Sequence, residues 1–169
     1  MIKTEQEEFW QGGFGDEYIG RNDSGNLLAA NTSFFSEVFS STKKINSILE
    51  FGCNIGMNLK AIRTLLPEAQ LTGIEINKKA VNELKMWKGG VHAIEGSILD
   101  IELDTKFDLT LIKTVLIHIN PERLNDVYTR LYNFSNEYIC IAEYYNPTPV
   151  KISYRGHDNR LFKRDFAGE

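Results

Sequence analysis

Between residues 45 and 145, short apolar runs of strand length alternate with segments of helical periodicity. The predicted strands cover residues 45–51, 71–76, 91–94, 107–115 and 138–145. The predicted helices cover residues 57–66, 78–87 and, from Pro121 with Asn120 as its cap, about 121–133. Strands that are apolar along most of their length and are joined by helices are typical of a parallel sheet covered on both faces. The alternation therefore predicts an α/β fold, with one mostly parallel sheet between two layers of helices.

An aromatic-rich segment precedes the first predicted strand. Thr4 and Glu7 have the spacing of a capping box, which predicts a helix over residues 4–10. Because glycines interrupt residues 12–18, we predict a loop there, followed by a second helix over residues 27–39. We expect one domain over residues 1–169, made of a helical cap (1–44), an α/β core (45–145) and a tail (146–169).

Composition argues against several classes of function. The 19 basic and 23 acidic side chains give a net charge of −4, and no run of Lys or Arg forms the basic surface of a nucleic-acid-binding protein. The apolar stretches are much shorter than a membrane span, and the acidic N-terminus is not a secretory signal. Cys53 and Cys140 lack the spacing of metal ligands. We expect a cytoplasmic protein without a metal ion, a nucleic-acid partner or a membrane anchor.

The loop after the first strand, from Glu50 to Gly56, carries the first candidate site. In an open parallel sheet, ligands bind beyond the carboxyl ends of the strands, where the strand order reverses. Gly52 and Gly56 permit a tight turn and a close approach of a ligand to the backbone. Asn54 is a residue type that tolerates a left-handed conformation. The alternative is a turn in which the glycines serve packing only.

This loop does not fit a dinucleotide site. The dinucleotide fingerprint requires glycines at two positions where the chain has Asn54 and Met57. A carboxylate at Glu50 would repel a pyrophosphate but could meet a cationic amino acid group, directly or through water. The loop therefore favours a ligand with a cationic amino acid moiety over a nicotinamide dinucleotide.

Two further strand ends carry polar residues. Glu75 follows the glycine loop by about 20 residues, the separation at which a carboxylate accepts both hydroxyls of a ribose. Taken alone, a Glu at a strand end is usually solvated, but its spacing from the loop favours the ribose role. Gly96, Ser97 and Ile98 follow the third strand and offer a polar group and an apolar face to an adenine ring.

These motifs resemble those of class I S-adenosylmethionine-dependent methyltransferases. The motifs are Ile48-Leu-Glu-Phe-Gly-Cys-Asn-Ile-Gly56, Gly73-Ile-Glu-Ile-Asn77, Gly96-Ser-Ile98 and Phe107-Asp-Leu109. Other segments are similar to one small family, the methylases associated with pseudaminic acid biosynthesis. Those segments are residues 4–10, 14–19, 21–22, 116–121, 144–149, 154–156 and 162–168.

The resemblance implies a Rossmann-like class I methyltransferase fold that binds S-adenosylmethionine and releases S-adenosylhomocysteine. It implies that Lys113 and Thr114 flank the methionine part, and that the N-terminal segment covers the cofactor. The predicted cofactor-binding residues are Tyr18, Arg21, Glu50, Phe51, Gly52, Cys53, Asn54, Gly56, Met57, Asn58, Glu75, Ile76, Asn77, Gly96, Ser97, Ile98, Lys113, Thr114, Val115 and His118.

Methyl transfer from a sulfonium needs alignment of the acceptor, exclusion of water and, for a hydroxyl or amine acceptor, a base. The catalytic candidates are His118, Tyr145 and Tyr154. His118 precedes a helix, so a structural hydrogen bond is its alternative role. The prolines at 147 and 149 superficially resemble a motif of methyltransferases that act on nucleic-acid bases. That motif follows the fourth strand rather than the fifth, so we reject that function.

The tail carries cationic side chains that either clamp an acidic acceptor or are solvated. They are Arg155, Arg160, Lys163 and Arg164. The tail is too short for a helix and both strands of the antiparallel hairpin that usually completes a class I sheet. We therefore expect a shortened family member that lacks this hairpin. Its fifth strand would be an exposed edge, which favours a homodimer through that edge or through the tail.

The expected function is methyl transfer to a small-molecule sugar or nucleotide-sugar in surface-glycan biosynthesis, of the pseudaminic acid type. The alternative is a module that binds S-adenosylmethionine without transferring its methyl group, because the C-terminal substrate elements are missing.

Overall fold

The structure is a computed structural model that describes residues 3–21 and 24–168. Asn22, which belongs to one of the family-like segments, and residues 1, 2 and 169 at the limits of the predicted domain lie outside the described residues. Within the described residues, no helix combines the length and apolar character that crossing a bilayer requires. In the same ranges, no three His, Cys, Asp or Glu side chains gather in a group that could hold a metal ion.

Five parallel strands form the central sheet. Their bounds are Ser47–Phe51 (β1), Gln70–Glu75 (β2), Val91–Glu95 (β3), Phe107–Lys113 (β4) and Ser135–Ala142 (β5). The strand order is β3-β2-β1-β4-β5, so the direction of the crossovers reverses between β1 and β4. Glu50 lies opposite Gly73 of β2 and Leu111 of β4, which aligns the carboxyl ends of the three strands. The predicted parallel sheet and its switch point are confirmed.

Helices cover both faces of this sheet, as its apolar strands require. The helices are Glu5–Gln11 (α1), Gly13–Ile19 (α2), Gly25–Ser40 (α3), Met57–Leu65 (α4), Lys78–Met86 (α5) and Leu124–Phe134 (α6), with short 3₁₀ helices at Leu116–His118 and Pro121–Arg123. Ile48 of β1 packs with Phe35 of α3 and Leu59 of α4. Its neighbour Leu49 packs on the opposite face with Leu131 of α6. Since Ile48 and Leu49 are both fully buried, the sheet lies between two apolar layers.

The N-terminal segment forms two short helices. Thr4 caps α1, and the predicted capping box with Glu7 is confirmed. The prediction of a loop over residues 12–18 is wrong, because α2 occupies that segment. Its aromatic side chains pack against α1: the rings of Trp10 and Tyr18 lie 5.1 Å apart, which offsets the low helix propensity of glycine. Gly15 is needed there, since a Cβ would lie 1.9 Å from the carbonyl oxygen of Trp10.

The tail forms an antiparallel hairpin of its own, Val150–Tyr154 (β6) and His157–Lys163 (β7). Arg155 and Gly156 make the turn with φ angles of 51° and 83°, as in a two-residue hairpin turn. Among the described residues, these two strands form a sheet of their own and add no strand to the central sheet. Sequence analysis did not predict the separate hairpin. Leu161 and Phe166 anchor the tail in the core of the same chain, and both are less than 10% exposed.

Candidate functional site

A cavity lies at the carboxyl ends of β1 to β4, under α1 and α2. It is lined by residues that follow each strand, including Gly52, Glu75, Ser97 and Lys113, and by Trp10 of α1. This is the position at which the strand order of the sheet predicts a ligand. The cavity is also the place where the N-terminal segment meets the core.

The loop after β1 adopts the left-handed conformations that its sequence predicts. Gly52, Asn54 and Gly56 have φ angles of 71°, 48° and 77°. A Cβ on Gly52 would lie 2.7 Å from a methyl group of Val115. Gly52 therefore allows the segment after β4 to pack against the loop, in addition to any approach of a ligand. Both the ligand and the packing interpretations of this glycine thus have a structural basis.

Glu50 lies beneath the loop and is 1% exposed. Its Oε1 accepts a 2.6 Å hydrogen bond from Nδ2 of Asn58, whose side chain lines the cavity. The Oε2 of Glu50 and the Oδ1 of Asn58 are buried and have no hydrogen-bond partner among the described residues. Burial raises the pKa of Glu50 to about 8, although Asn58 and Lys113 oppose the rise. An unpaired amide oxygen beside a carboxyl group that can give up its proton fits a ligand that brings a cationic group with several N–H donors.

Glu75 at the end of β2 lines the same cavity. Its Oε2 accepts a 2.8 Å hydrogen bond from the backbone N–H of Asn54, and its Oε1 accepts one of 2.7 Å from Asn77. Burial raises the pKa of Glu75, and these backbone donors oppose the rise. Each carboxylate oxygen can accept a further hydrogen bond, so the group remains able to bind hydroxyls.

His118 lines the cavity from the 3₁₀ helix after β4 and is 8% exposed. Its Nδ1 lies 2.6 Å from the carbonyl oxygen of Arg160 in β7, to which it donates a hydrogen bond. Burial lowers the pKa of His118 to about 4, although that hydrogen bond opposes the shift. The ring is therefore neutral at pH 7, with a lone pair on Nε2.

The backbone that leads to His118 is held by a carboxylate. Oε1 of Glu143, just after β5, accepts 2.7 Å hydrogen bonds from the N–H groups of Val115 and Leu116. Burial raises the pKa of Glu143 to about 7, and the N–H groups of Leu116, Val115 and Ile117 oppose the rise. Glu143 thus fixes the segment that carries both Val115 and His118.

A sequence model of the methyltransferase domain family matches residues 49–136, which include the carboxyl end of β1, all of β2 to β4 and every strand end that lines the cavity. The chain belongs to this methyltransferase domain family.

Solved structures confirm the fold of this methyltransferase domain. The plantazolicin methyltransferase BpumL, in complex with a desmethylPZN analog and SAH, has a TM-score of 0.65 and 21% identity, over 82% of this chain and 57% of that chain. Streptomyces venezuelae DesVI has a TM-score of 0.63 and 16% identity, over 85% of this chain and 64% of that chain. The sugar N-methyltransferase KedS8 from a Streptoalloteichus species has a TM-score of 0.64 and 16% identity, over 86% of this chain and 62% of that chain. The chain thus spans less than two thirds of each neighbour. No curated protein sequence matches it.

Most of the predicted cofactor-binding residues line the cavity of the methyltransferase domain. They are Tyr18, Gly52, Cys53, Asn54, Met57, Asn58, Glu75, Ile76, Asn77, Gly96, Ser97, Ile98, Lys113, Thr114, Val115 and His118. Glu50 reaches it only through Asn58. Phe51 faces the apolar core, where its ring lies 6.3 Å from that of Phe134. Gly56 packs against Leu84, and the Arg21 guanidinium lies over the ring of Phe14 rather than in the cavity.

Several lining residues are not among the predicted cofactor-binding residues, although most of them lie within the recognised motifs or the family-like segments. They are Thr4, Gln6, Glu7, Trp10, Gly15, Leu27, Asn31, Ile55, Leu99, Ile119 and Asn120. The sequence places Thr4 and Trp10 in the N-terminal helical segment, and it gives Glu7 only the role of a partner in the capping box of α1. The capping box gave the position of α1 in sequence but not the face that it turns toward the cavity.

The tail does not bring its cations to the cavity. The Arg160 guanidinium lies 3.2 Å from Glu5 and 5.0 Å from the ring of Phe9. The Lys163 ammonium lies 5.2 Å from the ring of Tyr144. Arg155, Arg160, Lys163 and Arg164 are all outside the cavity lining. Of the other catalytic candidates, Tyr145 is 65% exposed, and Tyr154 does not line the cavity but contacts the ring of His118 at 4.9 Å.

Proposed function

We propose that this chain is an S-adenosylmethionine-dependent methyltransferase that binds its cofactor in this cavity. The observation that carries the proposal is the pair of buried, unpartnered acceptors on Glu50 and Asn58 beside the carboxylate of Glu75. A cationic amino group and a vicinal diol are the features of S-adenosylmethionine that these groups fit. When bound, this cofactor supplies a methyl group on a positively charged sulfur.

In this proposal, Asn58 binds the amino group, Glu50 behind it contributes directly or through water, and Glu75 accepts the two ribose hydroxyls. The lining residues Lys113 and Thr114 flank the methionine part. The adenine ring lies against Gly96, Ser97 and Ile98, and the apolar Ile76 and Val115 cover its faces. Carboxylates around the cavity favour a positively charged sulfonium over the neutral thioether product.

His118 is proposed to orient the methyl acceptor. Because its Nδ1 donates to the carbonyl oxygen of Arg160, its Nε2 is the atom that can accept a hydrogen bond from a hydroxyl or an amine. A pKa of about 4 means that the ring does not keep a proton at pH 7. His118 therefore aligns the nucleophile and the solvent takes the proton. We assign no role to Tyr145, and we give Tyr154 the role of supporting the His118 ring.

For the acceptor, we propose a small-molecule sugar or nucleotide-sugar in surface-glycan biosynthesis, of the pseudaminic acid type. The family-like segments along the chain support this substrate class. Two structural neighbours are named as sugar methyltransferases: KedS8 is a sugar N-methyltransferase, and CalS10 is an amino pentose methyltransferase. The competing proposal is a module that binds the cofactor without methyl transfer. Release of S-adenosylhomocysteine in the presence of a sugar acceptor separates the two.

We also infer that two copies associate through the free edge of β5. On this strand Ile139 is 42% exposed, which supports a pairing surface. The tail packs on its own chain, so it needs no second copy to cover it. Sedimentation that detects only a 19.3 kDa species would contradict the dimer.

Calorimetric titration with S-adenosylhomocysteine tests the cofactor assignment. Glu75→Gln and Glu50→Gln should each weaken binding about tenfold or more, since each removes a charge-assisted hydrogen bond. Glu68→Gln is a matched control, because Glu68 is exposed just before the amino end of β2. Wild-type protein that does not bind this ligand, or unchanged affinity in both site variants, would contradict the proposal.

A further inference from the structure

Helix α1 carries two buried polar atoms without hydrogen-bond partners, both on residues that line the cavity. Gln6 and Trp10 both line it, and they lie on one face of the helix because they are four residues apart. Gln6 is 4% exposed. Its Oε1 and the Nε1 of Trp10 are buried without a hydrogen-bond partner among the described residues. Buried polar groups are nearly always paired in folded proteins, so two such atoms on one cavity wall indicate a ligand.

The surrounding contacts fix both side chains in place. The Nε2 of Gln6 donates to the carbonyl oxygen of Asn159 at 3.0 Å and to Oε1 of Glu5 at 3.3 Å. Since both partners are acceptors, the amide nitrogen is identified and Oε1 is the atom left unpaired. The Trp10 ring lies 4.6 Å from His118 and 5.1 Å from Tyr18. The residues of this wall therefore carry one unpaired acceptor, one unpaired donor and, on His118, the lone pair of Nε2.

The charges around this wall disfavour an anion. Burial raises the pKa of Glu7, but the hydrogen bonds from Ser97 and Thr4 outweigh it and hold the pKa below its usual value, so Glu7 is ionised. Among the described residues that line the cavity, Lys113 is the only lysine or arginine, and its charge acts on Glu50 and Glu143. A carboxylate or phosphate would find no arginine here to bind it.

We propose that Gln6 and Trp10 bind the methyl acceptor through an uncharged, hydroxyl-bearing ring of the sugar type. Gln6 Oε1 accepts a hydrogen bond from one hydroxyl, and Trp10 Nε1 donates to a neighbouring ring or hydroxyl oxygen. His118 Nε2 accepts from the group that is methylated. This inference rests on the proposed function, and it assigns the acceptor subsite to α1 rather than to the cationic tail. Any phosphate of a nucleotide-sugar would then stay outside the cavity.

The test uses protein that is first shown by calorimetry to bind S-adenosylhomocysteine, so that failure of the proposed function is detected separately. Saturation-transfer NMR on the loaded protein then compares methyl glycosides of neutral hexoses and N-acetylhexosamines with the matching uronic acids and hexose 6-phosphates. Neutral members should bind, and their charged counterparts should bind more weakly. Absence of binding by every neutral member, or equal binding by the anions, would overturn the proposal.

Two variants and one control locate the subsite. Trp10→Phe keeps an aromatic ring but removes the N–H donor, and Gln6→Met keeps the length of the side chain but removes the amide. Trp10→Phe should weaken neutral-sugar binding about fivefold, the expected loss for one hydrogen bond, with little change in S-adenosylhomocysteine affinity. Gln6→Met should weaken sugar binding at least as much, because it also removes the hydrogen bond to Asn159. Glu8→Gln changes an exposed residue of the same helix and should have no effect. If both variants bind the neutral sugar as tightly as the wild type, the assignment of the subsite is wrong. If Gln6→Met does not fold, the sugar affinity of Trp10→Phe alone tests the assignment.

Discussion

The Oγ of Ser97 donates a 2.5 Å hydrogen bond to Oε1 of Glu7, a residue 90 positions away in the sequence. The other carboxylate oxygen of Glu7 accepts from the backbone N–H and the hydroxyl of Thr4. One side chain therefore caps α1 and also fastens it to the loop after β3. Because both residues line the cavity, the position of α1 and the shape of the cavity depend on each other.

We predict that Ser97→Ala weakens S-adenosylhomocysteine binding about tenfold, because a charge-assisted hydrogen bond that holds α1 over the cavity is lost. Glu7→Gln should also weaken binding, because it removes the negative charge from this hydrogen bond, and the double variant should lose less than the sum of the two single losses, since both changes weaken the same contact. Calorimetry measures the affinities, and Glu8→Gln is the control. Fully additive losses would mean that the two residues act separately.

Binding of S-adenosylmethionine at pH 7 should release protons. Burial raises the pKa of Glu50 to about 8, so most of this carboxyl group is protonated in the free protein. A cationic amino group beside it lowers that pKa and displaces the proton. Titrations in two buffers with different heats of ionisation measure the release. Glu50→Gln should abolish it and Glu143→Gln should retain most of it; identical heats in both buffers for the wild type would disprove this prediction.

The free energy of unfolding should fall as the pH rises from about 6.5 to about 8. Burial raises the pKa of Glu50 to about 8 and that of Glu143 to about 7, from 4.5, so the folded protein binds more protons than the unfolded chain in this range. Burial lowers the pKa of His118 from 6.5 to about 4, so this group makes the free energy of unfolding rise with pH. That rise is complete by about pH 6.5, below the range of the predicted fall.

Urea unfolding across this range measures the pH effect. The Glu50→Gln, Glu143→Gln double variant should have a flatter profile than the wild type, because the two amides do not titrate. A wild-type profile that rises with pH would be inconsistent with buried, protonated carboxyl groups.

The ring resonances of His118 should stay constant between about pH 8 and pH 5.5. Burial lowers the pKa of this group to about 4, and its Nδ1–H is held by the carbonyl oxygen of Arg160. NMR of selectively labelled histidine measures the shifts. The same protein unfolded in urea is the control, since its histidines should titrate near about 6.5. A midpoint near 6.5 in the folded protein would contradict the buried, neutral ring.

The strands and the cofactor loop could be predicted because their signals are local. Apolar runs that end in Glu50 and Glu75 identify both the strands and their carboxyl ends, and the same rule would have identified Glu143 after β5. The α2 helix could not be predicted, since its glycines disfavour a helix and the rings of Trp10 and Tyr18 stabilise it only once α1 is in place. The partner of Glu7 lies 90 positions away, and no local pattern contains that contact.

The hairpin of β6 and β7 could have been predicted, because the sequence contains a suitable turn. The Arg155-Gly156 pair is a suitable two-residue turn, and both residues have positive φ angles. A tail of this length is too short for the helix and hairpin that usually complete a class I sheet, but it is long enough for a two-stranded hairpin that packs elsewhere on the chain.

Consecutive carbonyl groups of β7 hold both walls of the cavity: Asn159 binds Gln6, and Arg160 binds His118. The first of these contacts joins residues 153 positions apart, near opposite ends of the described chain. Closure of so long a loop is slow, so the sheet is expected to assemble before α1 and β7 meet. A ligand that enters before these segments dock is enclosed when they dock, and opening of the same contacts would let a product leave. Chain assembly and ligand exchange would then share one local unfolding event.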